Sequence, residues 1–293
     1  LHRLGWLLHK GNSHARAENT RVIVMNKSLQ IYVSSALPSM GINGVDAITF
    51  NSWALSVIRH AVKGKVFFKY RELPEFVEKI KFSNGILGAL SQFVSQKVRG
   101  IDAAISREFL TKEKLLEVWK KSDNKALQPR LKDFKHDVSE SDLSINEKQV
   151  ALDYVQNLLT NQEDHVGDLY ELLSDAKLLG SFLPAEPKLE EHLSYLSRMV
   201  DRNRKNNHLD YYDMSLILRL IQLKYGGLPN KHGGVSELDH LVIDEAQDFG
   251  PVEFSIMMDS VGDKRDLTIV GDVSQKILFS RKFIGWENIL SNL

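Results

Sequence analysis

Asp244, Glu245, Gln247 and Asp248 place three carboxylates and an amide directly after the apolar run Leu241-Val242-Ile243. Such groups at the end of a buried strand are costly to bury unless something pairs with them. Two adjacent carboxylates in that position suit one kind of chemistry. The first, Asp244, would orient a hydrated Mg²⁺, and the second, Glu245, would take a proton from an attacking water. A strand followed by a solvated acidic turn would use the same residues for nothing, so the context has to decide. Further along, Leu267-Thr268-Ile269-Val270 forms a second apolar run, closed by Gly271-Asp272, with Gln275 just beyond. In an open parallel α/β sheet, ligands sit outside the carboxyl ends of the strands. Both polar clusters fall there.

The elements that must carry these groups are legible along the chain. Leu1, Leu4, Leu7 and Leu8 recur at helical spacing. RVIVMN, residues 21–26, reads as a buried strand, and Asn26-Lys27-Ser28 opens a helix with Leu29, Tyr32, Val33 and Leu37 on one face, ended by Pro38 and Gly41. Val45, Ile48 and Phe50 mark another strand, followed by a helix from Thr49-Phe50-Asn51 onward. From about 61 to 207 the strand signal fades, and no β-ribbon is evident. Apolar residues there recur at three and four: Leu87, Leu90, Val94 and Val98; Leu115, Leu116 and Trp119; Val150, Tyr154, Leu158 and Leu159; Leu169, Leu172 and Leu173. These are amphipathic helices, broken at Pro129 and over residues 183–187. In DYYDMSLILRLI, Met214, Ile217, Leu218 and Ile221 form a core face, and Gly226, Gly227, Gly233 and Gly234 make a flexible loop.

Composition narrows the classes. The 293 residues are 43% hydrophobic and 26% charged, with zero formal net charge, which is ordinary for a globular protein. There is no cysteine, hence no disulfide framework or thiolate metal site. No apolar run is long enough to span a membrane and no signal peptide is visible, so the expected compartment is cytoplasmic. The charges are unevenly spread. From Arg59 to Lys135 there are 18 Lys/Arg against 9 Asp/Glu, and from Asp137 to Glu191 there are 3 Lys against 13 Asp/Glu. The basic block suits a phosphate backbone. Equally, the two blocks suit helical faces whose charges pair with each other.

DEAQD and LTIVGDVSQ together resemble motifs II and III of the UvrD/Rep-type superfamily 1 DNA helicases. NKS at 26–28 resembles motif Ia of that family, and ITFNSWA resembles motif Ib, with Asn51 where the family more often has His. The spacing of the opening segments is similar to the helicase IV and HelD-like branch. The resemblance implies an α/β fold: a parallel-sheet, P-loop NTPase-like (RecA-like) motor domain with a mostly helical insertion subdomain. Residues 1–60 and 208–293 would form the ATPase domain and 61–207 the insertion. It implies an ATP-dependent, Mg²⁺-using enzyme moving on single-stranded DNA or DNA junctions. Asp244 would hold Mg²⁺, Glu245 would be the general base, Gln247 would help position the water, and Gln275 would sense the γ-phosphate. Asn26, Lys27, Thr49, Phe50, Asn51 and Arg281 would contact nucleic acid.

Some features depart from the family's pattern. The family's base-stacking positions after motif III fall on Leu278 and Ser280, with Phe279 one place off and Trp286 as a possible substitute. No GxxxxGK[ST] phosphate loop is present in the sequence. The chain is therefore read as a fragment cut just after that loop and lacking the second motor domain, and by itself is expected not to hydrolyse ATP. Two alternatives stand beside this reading: a HelD-like ATPase factor binding RNA polymerase, and a degenerate ATPase serving as a binding module.

Overall fold

A computed structural model describes residues 2–9, 11–12, 15–64, 66–206, 208–232, 234–262 and 266–272. The chain opens with α1 (His2–Leu7), then β1 (Thr20–Val24), α2 (Lys27–Ser39), β2 (Asp46–Thr49) and α3 (Phe50–Ala61). A short strand β3 (Phe68–Lys69) precedes a helical run: α4 (Glu75–Lys81), α5 (Asn84–Glu108), α6 (Glu113–Lys121), α7 (Leu127–Ser139), α8 (Ile145–Asn161), α9 (His165–Ser174), α10 (Ala176–Gly180) and α11 (Leu189–Lys205). The chain returns through β4 (Leu209–Asp210), α12 (Asp213–Tyr225) and the hairpin of β5 (Leu228–Pro229) and β6 (Val235–Ser236). It then enters β7 (His240–Ile243), α13 (Pro251–Met258) and β8 (Leu267–Ile269).

Four strands form one parallel sheet in the order β2-β1-β7-β8. The fold class is the expected α/β parallel-sheet architecture. Alternation along β1 explains its two layers. Val22 and Val24 point into a core with Leu4 of α1 and Val33 and Leu37 of α2. Ile23 points the other way, into the main core with Leu241 and Ile243 of β7 and the faces of α3, α12 and α13. Near-continuous apolar strands are what a sheet covered on both faces requires.

Helix α12 is the centre of the second layer. Every residue from Asp213 to Gln222 is buried, as is Lys224, and α3, α5, α7, α9 and α13 all pack against it. It ends at Gly226, whose φ of 75° is the left-handed conformation that closes a helix without a side-chain clash. A separate core under α5–α8 gathers Ile101, Ile105, Phe109, Trp119, Phe134 and Val155. Among the described residues, no helix is long and apolar enough to cross a membrane.

Several sequence expectations need correction. Phe50 is not a strand residue but the first residue of α3. Tyr32 is 65% exposed, so α2 buries Val33 and Leu37 without it, and Val150 is likewise exposed while Ala151, Val155 and Leu159 carry α8 inward. Pro129 lies in the first turn of α7, where its missing N–H costs no helical bond. Pro38 lies inside α2, and the turn falls at Gly41 with φ of 75°. The segment from Gly226 forms a hairpin. A β-ribbon does exist near the insertion: β3 pairs with β4 in parallel, Phe68 opposite Leu209. Two residues per strand are too few for a period-2 signal to show.

Candidate functional site

The sheet brings the sequence candidates to one edge. Ile23 lies beside Ile243, Val24 beside Thr49, and Ile243 beside Ile269. Thr49 at the end of β2 and the residues just past the other strands, Asn26, Asp244 and Gly271, therefore share the carboxyl end of the sheet. Backbone bonds pin the turn after β7. The Asp244 amide donates to the Ile23 carbonyl at 3.0 Å, Val270 to Ile243 at 2.8 Å and Ala246 to Val270 at 2.9 Å.

Glu245 is held at φ 52°, the sole positive φ outside glycine among the described residues. That conformation is unfavourable for a side chain with a Cβ, and such outliers cluster at functional sites. It turns the chain sharply into the short helical turn Ala246–Asp248. There Gln247, 1% exposed, uses its amide in both directions. Its Nε2 donates to Glu245 Oε2 at 2.7 Å, and its Oε1 accepts from the Asp272 amide at 3.0 Å. Gln247 thus ties the Glu245 carboxylate to the chain just past β8. This approach depends on Gly271, where a Cβ would lie 2.6 Å from Gln247 Oε1 and 3.0 Å from the Ala246 nitrogen.

Asp244 is half-buried, and one of its oxygens accepts from the Glu245 amide at 3.1 Å. Burial pushes its carboxyl above the ordinary range, the Glu245 amide pulls it back, and the neighbouring carboxylate adds to the rise. A cation there would relieve both unfavourable contributions. Mg²⁺ keeps much of its water and is usually held through one or two carboxylates and substrate phosphates. Among the described residues no cluster of three or more His, Cys, Asp or Glu is arranged to cage a metal. A single strand-end carboxylate with a second beside it fits the Mg²⁺ pattern.

The expected strand contacts divide into two kinds. Asn26, Lys27 and Asn51 lie at the surface or half-exposed at the starts of α2 and α3. Asn26 caps α2 by accepting from the Leu29 amide at 2.9 Å, and Lys27 donates to Gln30 at 3.0 Å. Thr49 and Phe50 are turned inward. The Thr49 hydroxyl donates to Ser52 Oγ at 2.9 Å and caps α3 through the Ser52 amide. Phe50 is 3% exposed and packs its ring against Trp53 and Phe249. From this turn, outward contact is left to Asn51 and backbone N–H groups. Gln275 and Arg281 lie outside the described residues, as do Leu278, Phe279, Ser280 and Trp286.

The basic and acidic blocks meet each other. Lys63 pairs with Glu163 at 2.5 Å, Lys97 with Asp168 and Glu171, Lys112 with Glu147 at 2.9 Å and Lys114 with Asp142 at 2.8 Å. These four cations of the basic block are committed to carboxylates within the fold.

Sequence reading missed two parts of this region. One is Gly271, whose need for close approach depends on a contact between strands. The other is Lys81, 2% exposed at the end of α4. Its Nζ donates to Asp213 at 2.5 Å and lies 3.4 Å from Asp210, so it anchors both carboxylates of DYYD. A lysine at the end of an amphipathic helix gives no sign of burial by itself.

Comparison with curated proteins finds no match. Comparison with protein families finds one that spans the whole arrangement, from the first residue of β1 past motif III. The motif II strand, the motif III strand and the strand-end turns just described all fall within it. The chain belongs to the UvrD/REP helicase N-terminal domain family, whose sequence model matches residues 20–282.

Proposed function

We propose that this chain carries the hydrolytic half-site and part of the strand-binding surface of an ATP-dependent translocase on single-stranded DNA. The family is one of DNA helicases, which use ATP and Mg²⁺. The observation that carries the finer reading is the bonded unit Glu245–Gln247–Asp272 at the carboxyl end of the sheet, with Asp244 beside it. Asp244 would hold Mg²⁺, which when bound neutralises developing phosphate charge. Glu245, oriented by Gln247, accepts the proton of the attacking water. Because the other end of the Gln247 amide is fixed to Asp272, movement of the chain after β8 would reposition Glu245. Asn26, Lys27 and Asn51, on neighbouring strand-end turns, would hold the polynucleotide backbone with the N–H groups of two helix N-termini.

The division into a motor part, 1–60 and 208–293, and a helical insertion, 61–207, belongs to this proposal. It is supported by the placement of all four sheet strands in the first part and of the separate α5–α8 core in the second.

The test is ATP hydrolysis by the protein expressed from the whole reading frame that contains this chain, with and without oligothymidylate. Glu245→Gln keeps an acceptor for Gln247 Nε2 but loses the base. The expected result is a DNA-stimulated rate that falls by at least about a hundredfold, with DNA affinity unchanged. A rate indifferent to that substitution would overturn the assignment.

A further inference from the structure

The ribbon formed by β3 and β4 presents an unusual surface. Lys69 Nζ lies 2.7 Å from His208 Nε2, and Arg71 Nη2 lies 2.7 Å from His208 Nδ1. A neutral imidazole has one lone pair and one N–H. It can accept from one of these cations but must turn its own N–H toward the other. Among the described residues neither Lys69 nor Arg71 has a carboxylate partner, in contrast to Lys63, Lys97, Lys112 and Lys114. Two cations and an imidazole N–H thus converge on a single imidazole lone pair, an arrangement that one anion would relieve.

Aromatic residues flank the cluster in sequence. Phe67 is 66% and Tyr70 73% exposed, among the most exposed large apolar side chains described. Tyr70 lies 6.4 Å from the ring of Tyr212. A cleft of about 590 Å³ opens beside Phe67, walled in part by Val66, Tyr170 and Arg204 and also by the carboxylates Glu163 and Asp164. Exposed rings alternating with cations are how proteins hold single strands without reading sequence: bases stack on the rings and cations follow the backbone.

The ribbon also connects to the candidate hydrolytic site. Tyr212 packs edge-on to Phe82 at 5.4 Å. The Phe82 ring in turn lies against Gly250, where a Cβ would come within 3.2 Å of it. Gly250 is two residues past Asp248. Two ring–ring contacts and one ring–glycine contact therefore lead from Tyr70 to the turn after β7.

We infer that Lys69, Arg71 and His208 form a phosphodiester-binding site for single-stranded polynucleotide, with Tyr70 and Phe67 as platforms for the adjoining bases. This rests on the nucleic-acid reading above but adds a second contact surface, away from Asn26, Lys27 and Asn51.

The test is binding of fluorescein-labelled oligothymidylate to the 293-residue chain, followed by anisotropy over a range of salt concentrations. Three variants are compared: Lys69→Gln with Arg71→Gln, Tyr70→Ala, and Lys27→Gln with Asn51→Ala. All are surface substitutions, and far-UV circular dichroism checks each fold. The expected result for the ribbon double variant is a salt slope reduced by about 1.4, the share of two phosphate contacts on a single strand. Tyr70→Ala is expected to weaken binding about tenfold. Inorganic phosphate at millimolar concentration should not displace the oligonucleotide.

Binding that is lost in the Lys27/Asn51 variant but unchanged in both ribbon variants would overturn the ribbon site and leave the helicase reading intact. Displacement by inorganic phosphate alone would make the cluster a free-anion site and overturn the polynucleotide assignment. No binding of the unaltered chain at any salt concentration would overturn both.

Discussion

Gln247 has one amide and two partners, and its position depends on a residue with no side chain at all. Gly271 lets the strand-end turn of β8 approach the Ala246–Gln247 backbone. In Gly271→Ala the added methyl would meet Gln247 Oε1 at 2.6 Å and a backbone nitrogen at 3.0 Å. The amide would have to turn away from Asp272 or the strand would have to shift. Overpacking of this kind costs about 1–3 kcal/mol, and the expected result is a destabilisation of that size in urea unfolding. Glu245→Gln, by contrast, preserves the hydrogen bond to Gln247 and should unfold within about 0.5 kcal/mol of the unaltered chain. At this scale Asp244 and Glu245 stood out as candidates only because a second apolar strand, closed by Gly271-Asp272, followed at the right distance. The role of Gly271 was not legible, because it is set by a neighbour on another strand.

In and beside the helices, several charged side chains are buried, Lys81, Asp210, Asp213 and Lys224 among them. Lys81 sits between Asp210 and Asp213, with the Asn203 amide 3.4 Å from Asp210. Burial raises the Asp213 carboxyl, and Lys81 opposes that rise. Removing the lysine leaves two uncompensated carboxylates inside the fold. Lys81→Met should therefore destabilise by about 3–5 kcal/mol, with part recovered on adding Asp213→Asn. Chemical denaturation of the single and double variants measures this.

His165, the first residue of α9, is fully buried, and neither ring nitrogen has a protein partner. Burial, with Lys224 nearby, lowers its pKa from 6.5 to about 3. The unfolded chain binds a proton as pH falls through 6.5, while the folded chain does not until about 3. This group thus leaves stability untouched above 6.5 and removes about 1.4 kcal/mol per pH unit below it. In His165→Leu that component is absent, and the acid-unfolding midpoint should move to lower pH. A midpoint unchanged by the substitution would contradict this account. Helix α12 was expected to bury one face. Its burial on all sides, and that of Lys224 with it, follows from five helices converging on it, which no periodicity within the helix encodes.

For the molecule as a whole, the charge blocks meet through four lysines in the helical region, Lys63, Lys97, Lys112 and Lys114, while Lys69 and Arg71 face His208 instead. The 293 residues include no GxxxxGK[ST] loop, and phosphoryl transfer depends on positioning and charge stabilisation. The isolated chain should accordingly show no DNA-stimulated ATP hydrolysis above background in a coupled phosphate-release assay. A robust rate abolished by Glu245→Gln would refute that. The sequence by itself determined the α/β class, the two strand-end motifs and the order of the elements. Those features depend on local apolar patterns and on residue types adjacent in the chain. The tertiary structure alone decided which carboxylate Gln247 engages, that Phe50 and Thr49 turn inward, that the charge blocks pair, and that β3 meets β4 across well over a hundred residues. Gln247 and Glu245 are only two residues apart, but the other end of that amide is fixed by Asp272, and Phe50 turns onto Phe249. The ion pairs and the β3–β4 pairing likewise join segments distant in sequence. In these cases the deciding neighbour is one that folding supplies.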